Sequence, residues 1–159
     1  MIQKTLVLIK PDGVQRGLVG ELITRFEKVG LKIIGMKMVW ADAKFAKKHY
    51  AAHLEKKFYL ALEAMITEGP VVALVLEGIQ AVEIVRKMVG ATEPKAALPG
   101  TIRGDYAHVS YEYADKKGVA IKNLIHASGN VKEAEMEIKL WFSANELHSY
   151  ETVFEKHVR

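Results

Sequence analysis

One histidine stands in a sequence context that suits covalent chemistry. His126 ends a short apolar stretch and is followed by Ala127, Ser128 and Gly129, small residues at the start of a predicted helix. A histidine there can face an anion held near the helix N-terminus. Glu137 lies on the same helix, and a carboxylate bound to an imidazole fixes its tautomer and strengthens it as a nucleophile. His126 is therefore a candidate nucleophile, although a structural role fits the pattern as well.

Three cations near predicted turns could bind phosphate. Arg103 lies in a loop rich in glycine and proline, Arg86 lies on the preceding helix, and Lys10 lies where the first predicted strand meets its turn. The planar guanidinium matches phosphate oxygens, and each such charge-assisted bond contributes roughly 1.5–3 kcal/mol. Taken singly, each cation also fits an ordinary surface charge.

Common motifs of nucleotide, hydrolase and metal sites are absent from the sequence. There is no GxxxxGK[ST] loop, no GxGxxG after a strand, no GxSxG and no HExxH, and the six histidines form no metal-ligand cluster. We therefore predict no protein-bound metal. A phosphate site in this chain would have to be assembled from dispersed cations.

Composition narrows the class of protein. The 159 residues fit a single domain over 1–159, and 50% hydrophobic with 26% charged residues argues against disorder, collagen and coiled coil. The chain has no cysteine, which excludes disulfide scaffolds and thiolate zinc sites. The 23 basic residues are dispersed, so no nucleic-acid partner is expected. The apolar run at 6–9 is too short for a signal or a membrane span, so we expect a cytoplasmic protein without a membrane partner.

Hydrophobic periodicity predicts strands mixed with helices. Strands are expected over 5–9, 31–40, 71–76 and 123–126, and helices over 43–52, 58–67, 81–89 and 131–142. A further helix begins at Val19 and ends before Gly30, and a structured loop covers 91–105. Asn130 is expected to cap the last helix, with Glu133 in capping-box register. The pattern favours an α/β or α+β sandwich.

The segment Asn-Leu-Ile-His-Ala-Ser at 123–128 resembles the active-site signature of nucleoside diphosphate kinases. Further segments are similar to that family in the same order along nearly the whole chain: 5–21, 69–72, 99–105 and 135–142. The resemblance implies an α+β fold (an α/β sandwich) with a ferredoxin-like βαββαβ core, a four-stranded antiparallel sheet and added helices.

The resemblance also implies a ping-pong reaction. Nδ1 of His126 would take the γ-phosphate of ATP or another nucleoside triphosphate and, as phosphohistidine, pass it to a nucleoside diphosphate. Mg²⁺ would enter with the nucleotide phosphates, and the chain would form a homo-oligomer, with a hexamer expected.

Site residues carry over from the family position by position. Lys10, Tyr50 and Ser128 would assist catalysis by His126 and Glu137. Three residues would contact the phosphate or sugar end of the nucleotide: Lys10, Tyr50 and Asn123. Three would hold its phosphates: Arg86, Thr92 and Arg103. Two would clamp the base by stacking and apolar contact, which predicts broad base acceptance: Phe58 and Leu62.

Three positions depart from the family pattern. Gly129 replaces the usual Asp, which removes a negative charge beside the pocket, and Lys57 stands where Pro is common. The segment 107–122 is longer than usual and follows Tyr106, with Tyr111 and Tyr113 inside it. It could remodel the pocket rim or a subunit contact, and half-buried loop packing is an equal alternative.

Two other classes of protein compete with the kinase. One is a relative of the same fold that binds nucleotide or nucleic acid with weak or no turnover, which Gly129 and the longer segment favour. The other is a regulatory module of the same fold. Such a module would lack the Asn-x-x-His segment, and fold alone separates none of these classes.

Overall fold

Two long apolar strands form the centre of a four-stranded antiparallel sheet. The computed structural model describes residues 1–158, and its strands are β1 (Ile2–Ile9), β2 (Lys32–Val39), β3 (Val71–Ile79) and β4 (Ile125–Ala127), in the order β2-β3-β1-β4. β1 and β3 pair along their full lengths, from Ile2 opposite Ile79 to Ile9 opposite Val72. The four predicted strands are confirmed, and β1 and β3 extend beyond their predicted ends by three residues each.

Helices connect and cover the strands. Their bounds in chain order are α1 (Pro11–Gln15), α2 (Val19–Lys28), α3 (Ala43–His49), α4 (Tyr59–Thr67), α5 (Ala81–Val89), α6 (Ile102–Tyr106), α7 (Tyr111–Lys117), α8 (Val131–Trp141) and α9 (Glu155–Val158). α2 links β1 to β2 and α5 links β3 to β4, so two β-α-β units interleave. This arrangement confirms the predicted βαββαβ core with added helices. No helix among the described residues has the length and apolar character that a bilayer span requires.

The core lies on both faces of the sheet. Val7 and Ile9 of β1 pack with α2 and α5 on one face, whereas Leu6 and Leu8 pack with α8 on the other. All four side chains have no exposed surface. Burial on both faces explains why residues 6–9 of β1 form a continuous apolar run without alternation.

Short helices occupy two segments that the periodicity did not resolve. The predicted loop 91–105 contains a 3₁₀ turn (Pro94–Ala96) and most of α6, and the segment 107–122 contains α7. Both helices have hydroxyl N-caps: Thr101 accepts from the backbone N–H of Gly104, and Ser110 accepts from that of Tyr113. Helices of five and seven residues are too short to show a clear hydrophobic period.

The predicted cap of α8 is confirmed. The Asn130 Oδ1 atom accepts the backbone N–H of Glu133 at 2.9 Å. The Glu133 carboxylate bonds the backbone N–H of Gly129 at 3.0 Å, one residue earlier than a capping box places this bond. The helix therefore begins at a fixed point, with its cap Asn130 four residues after His126.

Close packing between α1 and the turn before β4 predicts opposite effects for two glycine substitutions. A Cβ on Gly13 would lie 3.0 Å from the backbone oxygen of Leu124 and 2.9 Å from Ile9 Cγ2, whereas nothing lies within 4 Å of a Cβ on Gly20. We expect Gly13→Ala to lower the free energy of unfolding by about 1–3 kcal/mol. Gly20→Ala, the matched control, should raise it by a few tenths to about 1 kcal/mol. Urea denaturation measures both, and equal effects would contradict this packing.

Candidate active site

A strained turn presents His126 at the edge of the sheet. Leu124, just before β4, has a φ of 71°, which costs a residue with a side chain about 1–3 kcal/mol. Its backbone N–H donates to Asp12 Oδ2 at 3.0 Å, and its carbonyl accepts the Lys10 N–H at 2.8 Å. These bonds and the full burial of the leucine side chain hold the turn. β4 then pairs with β1, placing His126 opposite Leu8.

The imidazole of His126 is oriented by a carboxylate behind it. Its Nε2 lies 2.9 Å from Glu137 Oε1, and the Ser128 hydroxyl donates to Glu137 Oε2 at 2.6 Å. The same hydroxyl accepts the backbone N–H of Leu6 at 3.2 Å, which ties the group to β1. Burial opposes ionisation of Glu137, but hydrogen bonds from His126 and Ser128 outweigh it and lower the pKa of the carboxyl. A carboxylate accepts only, so Nε2 carries the proton and Nδ1 keeps a free lone pair.

Lys10 is a buried cation beside the nucleophile. Its Nζ donates to Asn123 Oδ1 at 2.7 Å, and Asn123 Nδ2 donates to the Thr92 carbonyl at 2.8 Å. Burial, followed by repulsion from Arg103, lowers the pKa of Lys10 to about 8, and Asp12 partly opposes this shift. The ammonium is therefore charged at neutral pH yet close to losing its proton.

Three N–H groups of the Arg103 guanidinium donate to backbone carbonyls of the protein. It donates to the carbonyls of Gly90, Asn123 and Ile125 at 3.0, 3.2 and 2.6 Å, and it is 7% exposed. Burial lowers the pKa of Arg103 to about 10, so the group remains charged near neutral pH. Three of its five N–H donors are used, which leaves two for an anion.

The sequence-predicted residues surround two adjoining spaces in front of His126. An inner cavity of about 230 Å³ is lined by six of them: Lys10, Arg86, Thr92, Arg103, Asn123 and His126. An outer cleft of about 580 Å³ shares four of these residues and adds three more: Tyr50, Phe58 and Leu62. Ser128 and Glu137 line neither space and stand behind the imidazole. The structure thus brings all the candidate residues into one region.

A larger cavity lies elsewhere and lacks this chemistry. It measures about 730 Å³ and lies beside the end of α2 and the loop before α6. Lys87 is the single charged side chain among its described lining residues, and its surface is mostly apolar. The inner cavity and the outer cleft, which the cations and His126 line, therefore suit phosphate binding better than this larger cavity.

His49 lies beside the nucleophile, although its sequence context favours a structural role. Its ring meets that of His126 edge-to-face, with centroids 5.1 Å apart, and its Nδ1 accepts the indole N–H of Trp141 at 3.2 Å. Burial, then His126, lowers the pKa of His49 to about 3, so it stays neutral. Its place beside Tyr50 in the sequence was the one available signal.

These rings raise the question of a metal site. His49, His126 and Glu137 each bring one potential ligand atom within 4.8 Å of the others. However, His126 and Glu137 already bond each other, and Trp141 donates to His49. Hydrogen bonding accounts for the cluster.

The glycine at position 129 changes the pocket less than its type implies. A Cβ there would lie 2.5 Å from Glu133 Oε2, so the Glu133 carboxylate occupies the adjoining space, and Glu133 also lines the inner cavity. A negative charge therefore remains beside the pocket, and Asn130 supplies the helix cap. Glu133 thus supplies a carboxylate next to Gly129.

Comparison with known proteins places this site in a family. The family model for nucleoside diphosphate kinase matches residues 3–147. The nucleoside diphosphate kinase of Pyrococcus horikoshii is 57% identical over 148 residues, covering 93% of this chain and 90% of that protein. That of Borreliella burgdorferi is 47% identical over 156 residues, covering 94% and 93%.

Solved structures agree. A transition-state mimic of the Borrelia burgdorferi kinase with bound vanadate and ADP has a TM-score of 0.95 at 45% identity, covering 99% of this chain and 96% of that one. The kinase of Halobacterium salinarum in complex with CDP has a TM-score of 0.88 at 41% identity, covering 100% and 99%. With the imidazole, carboxylate and cations gathered as described, the chain belongs to the nucleoside diphosphate kinase family.

Proposed function

We propose that this chain transfers the γ-phosphate of ATP or another nucleoside triphosphate to a nucleoside diphosphate, through a phosphohistidine on Nδ1 of His126. The observation that carries the proposal is the 2.9 Å contact between His126 Nε2 and Glu137. It leaves the Nδ1 lone pair as the free nucleophile on a ring that lines both spaces.

The reaction balances in two mirrored steps. In the first, the Nδ1 lone pair of His126 forms a bond to the γ-phosphorus, and the bond to the β–γ bridging oxygen breaks with its electron pair on the departing diphosphate. The imidazole gains positive charge, which the Glu137 carboxylate stabilises through the Nε2 proton. In the second, a terminal β-phosphate oxygen of the acceptor forms a bond to the phosphorus of the phosphohistidine. The bond from phosphorus to Nδ1 breaks with its electron pair on the ring, which becomes neutral again.

Cations and the base clamp position the nucleotide. Phosphoryl transfer needs charge neutralisation and alignment more than covalent chemistry. Lys10 and Arg86 supply positive charge in the inner cavity. Arg103 lines the same cavity, and its two remaining N–H donors can bind the phosphates as well. Thr92 and Asn123 complete the polar wall. Tyr50, Phe58 and Leu62 line the outer cleft, where a base can stack beside its sugar.

Mg²⁺ is proposed as part of the substrate, bound to the nucleotide phosphates. Glu133 is the carboxylate that lines the inner cavity, and its oxygens already accept N–H groups of Gly129 and Asn130. Phosphate oxygens are the hard ligands this ion prefers.

The assembly, domain and location remain predictions with separate support. Met36, Met38 and Trp40 are more than half exposed on or beside β2, an edge strand, and such a surface suits burial against another copy in the expected hexamer. A single domain is supported by one sheet with a core on both faces. A cytoplasmic location rests on the cysteine-free composition.

Mass spectrometry tests the covalent intermediate. After mixing with Mg-ATP and no acceptor, we expect one acid-labile phosphate per chain, which moves to GTP when GDP is added. His126→Ala should abolish the adduct while the protein still binds nucleotide, because Lys10 and the arginines remain. Nucleotide binding by the wild-type protein without an adduct would contradict the kinase and favour the binding protein of the same fold.

The lowered pKa of Lys10 predicts an alkaline limit to activity. The ammonium is present below pH 8 and is lost as the pH rises through about 8, so kcat/KM for ATP should then fall by up to about tenfold per pH unit. Lys10→Arg keeps a cation in this range and should remove the decline, even if its activity is lower throughout. Rates from pH 6.5 to 9.5 measure this, and a decline that persists in Lys10→Arg would assign it to another group.

A further inference from the structure

The long segment 107–122 forms one wall of the outer cleft. Of the fifteen residues that line the cleft, six come from this segment: Tyr111, Ala114, Asp115, Val119, Ala120 and Ile121. Phe58 and Leu62 line the same cleft from the start of α4. A base stacked on Phe58 would therefore have α7 and the residues that follow it as its second boundary.

This wall is anchored at both ends. At its start, the backbone N–H of Tyr111 donates to Glu93 Oε1 at 2.9 Å, and Val109 accepts the Lys95 N–H at 3.2 Å. At its end, Lys122 forms an ion pair with Glu68. Since Thr92 adjoins Glu93 and Glu68 follows α4, the segment bridges the two sides of the cleft and holds α7 in place.

The start of α7 lies beside residues predicted to hold the phosphates. Tyr111, the first residue of α7, lines the cleft together with Thr92, and its backbone N–H donates to Glu93, the residue after Thr92. Asp115 lies one turn later on the same face of α7, about 6 Å along its axis, and lines the same cleft. Its carboxylate accepts no hydrogen bond within residues 1–158 and is solvated, so a ligand can reach it.

We propose that Asp115 is a specificity-determining residue, which accepts hydrogen bonds from a guanine base and makes guanosine diphosphate a preferred acceptor. Guanine presents its N1–H and exocyclic amine side by side, matching the two carboxylate oxygens. Uracil presents one N–H between two carbonyl oxygens, which a carboxylate repels. This inference rests on the proposed function, because it requires a nucleotide in the cleft. It adds one hydrogen-bonding contact to the expected stacking clamp.

Guanosine and inosine diphosphates test the proposal, because the two bases have the same rings and differ by the exocyclic amine. Phosphorylated protein is mixed with each diphosphate, and kcat/KM for loss of the phosphohistidine is measured. We expect wild-type protein to favour GDP over IDP about fivefold, because Asp115 is exposed and water weakens a charged contact at such a site. Asp115→Ala should bring the ratio to about one by slowing the reaction with GDP more than the reaction with IDP, which has only the N1–H donor.

Glu112→Ala is the matched control. Glu112 is exposed on the same helix, does not line the cleft, and carries the same charge, so this variant should keep the wild-type ratio. A wild-type ratio near one, or an unchanged ratio in Asp115→Ala, would overturn the role of Asp115. If no phosphohistidine forms, the proposed function fails, and the ratio of Kd values for GDP and IDP by titration calorimetry then decides the inference separately.

Discussion

The hydrogen bond between His126 Nε2 and Glu137 is the contact on which the site depends. It assigns one ring nitrogen to the protein and leaves the other for the substrate. The bond requires β4 and α8 to keep fixed positions relative to each other, and each of them has its own contacts with β1. β4 pairs with β1, while Ser128 joins the Glu137 carboxylate to the backbone of Leu6 in β1. The central strand thus positions both the nucleophile and its partner.

Burial of the two cations in front of the nucleophile, Lys10 and Arg103, costs desolvation free energy. Lys10 and Arg103 are each less than a tenth exposed, and burial lowers the pKa of both groups. Their hydrogen bonds to Asn123 and to strand carbonyls offset part of that cost in the absence of substrate. A triphosphate brings the opposite charge into this space. The arrangement therefore suits a polyanion whose charge is redistributed during transfer.

Much of the fold was predictable, because buried strands and amphipathic helices leave clear periods in the sequence. α5 matches its predicted bounds, and the Asn130 cap was visible from residue type alone. α6 and α7 were missed since five and seven residues show too little periodicity. The site residues were found through a resemblance, whereas the signal for His49 was limited to its place beside Tyr50 in the sequence. Its contact with His126 depends on tertiary packing of α3 against α8, and a spacing of 77 residues does not encode it.

The most direct test is an NMR experiment on protein with ¹⁵N-labelled histidine, recorded before and after phosphorylation by Mg-ATP. Before phosphorylation, we expect His126 to carry its proton on Nε2 and a free lone pair on Nδ1. Afterwards, coupling to ³¹P should appear at Nδ1 while the Nε2 proton remains bound to Glu137. Coupling at Nε2, or a phosphate on any residue other than His126, would contradict the role assigned to the His126–Glu137 bond.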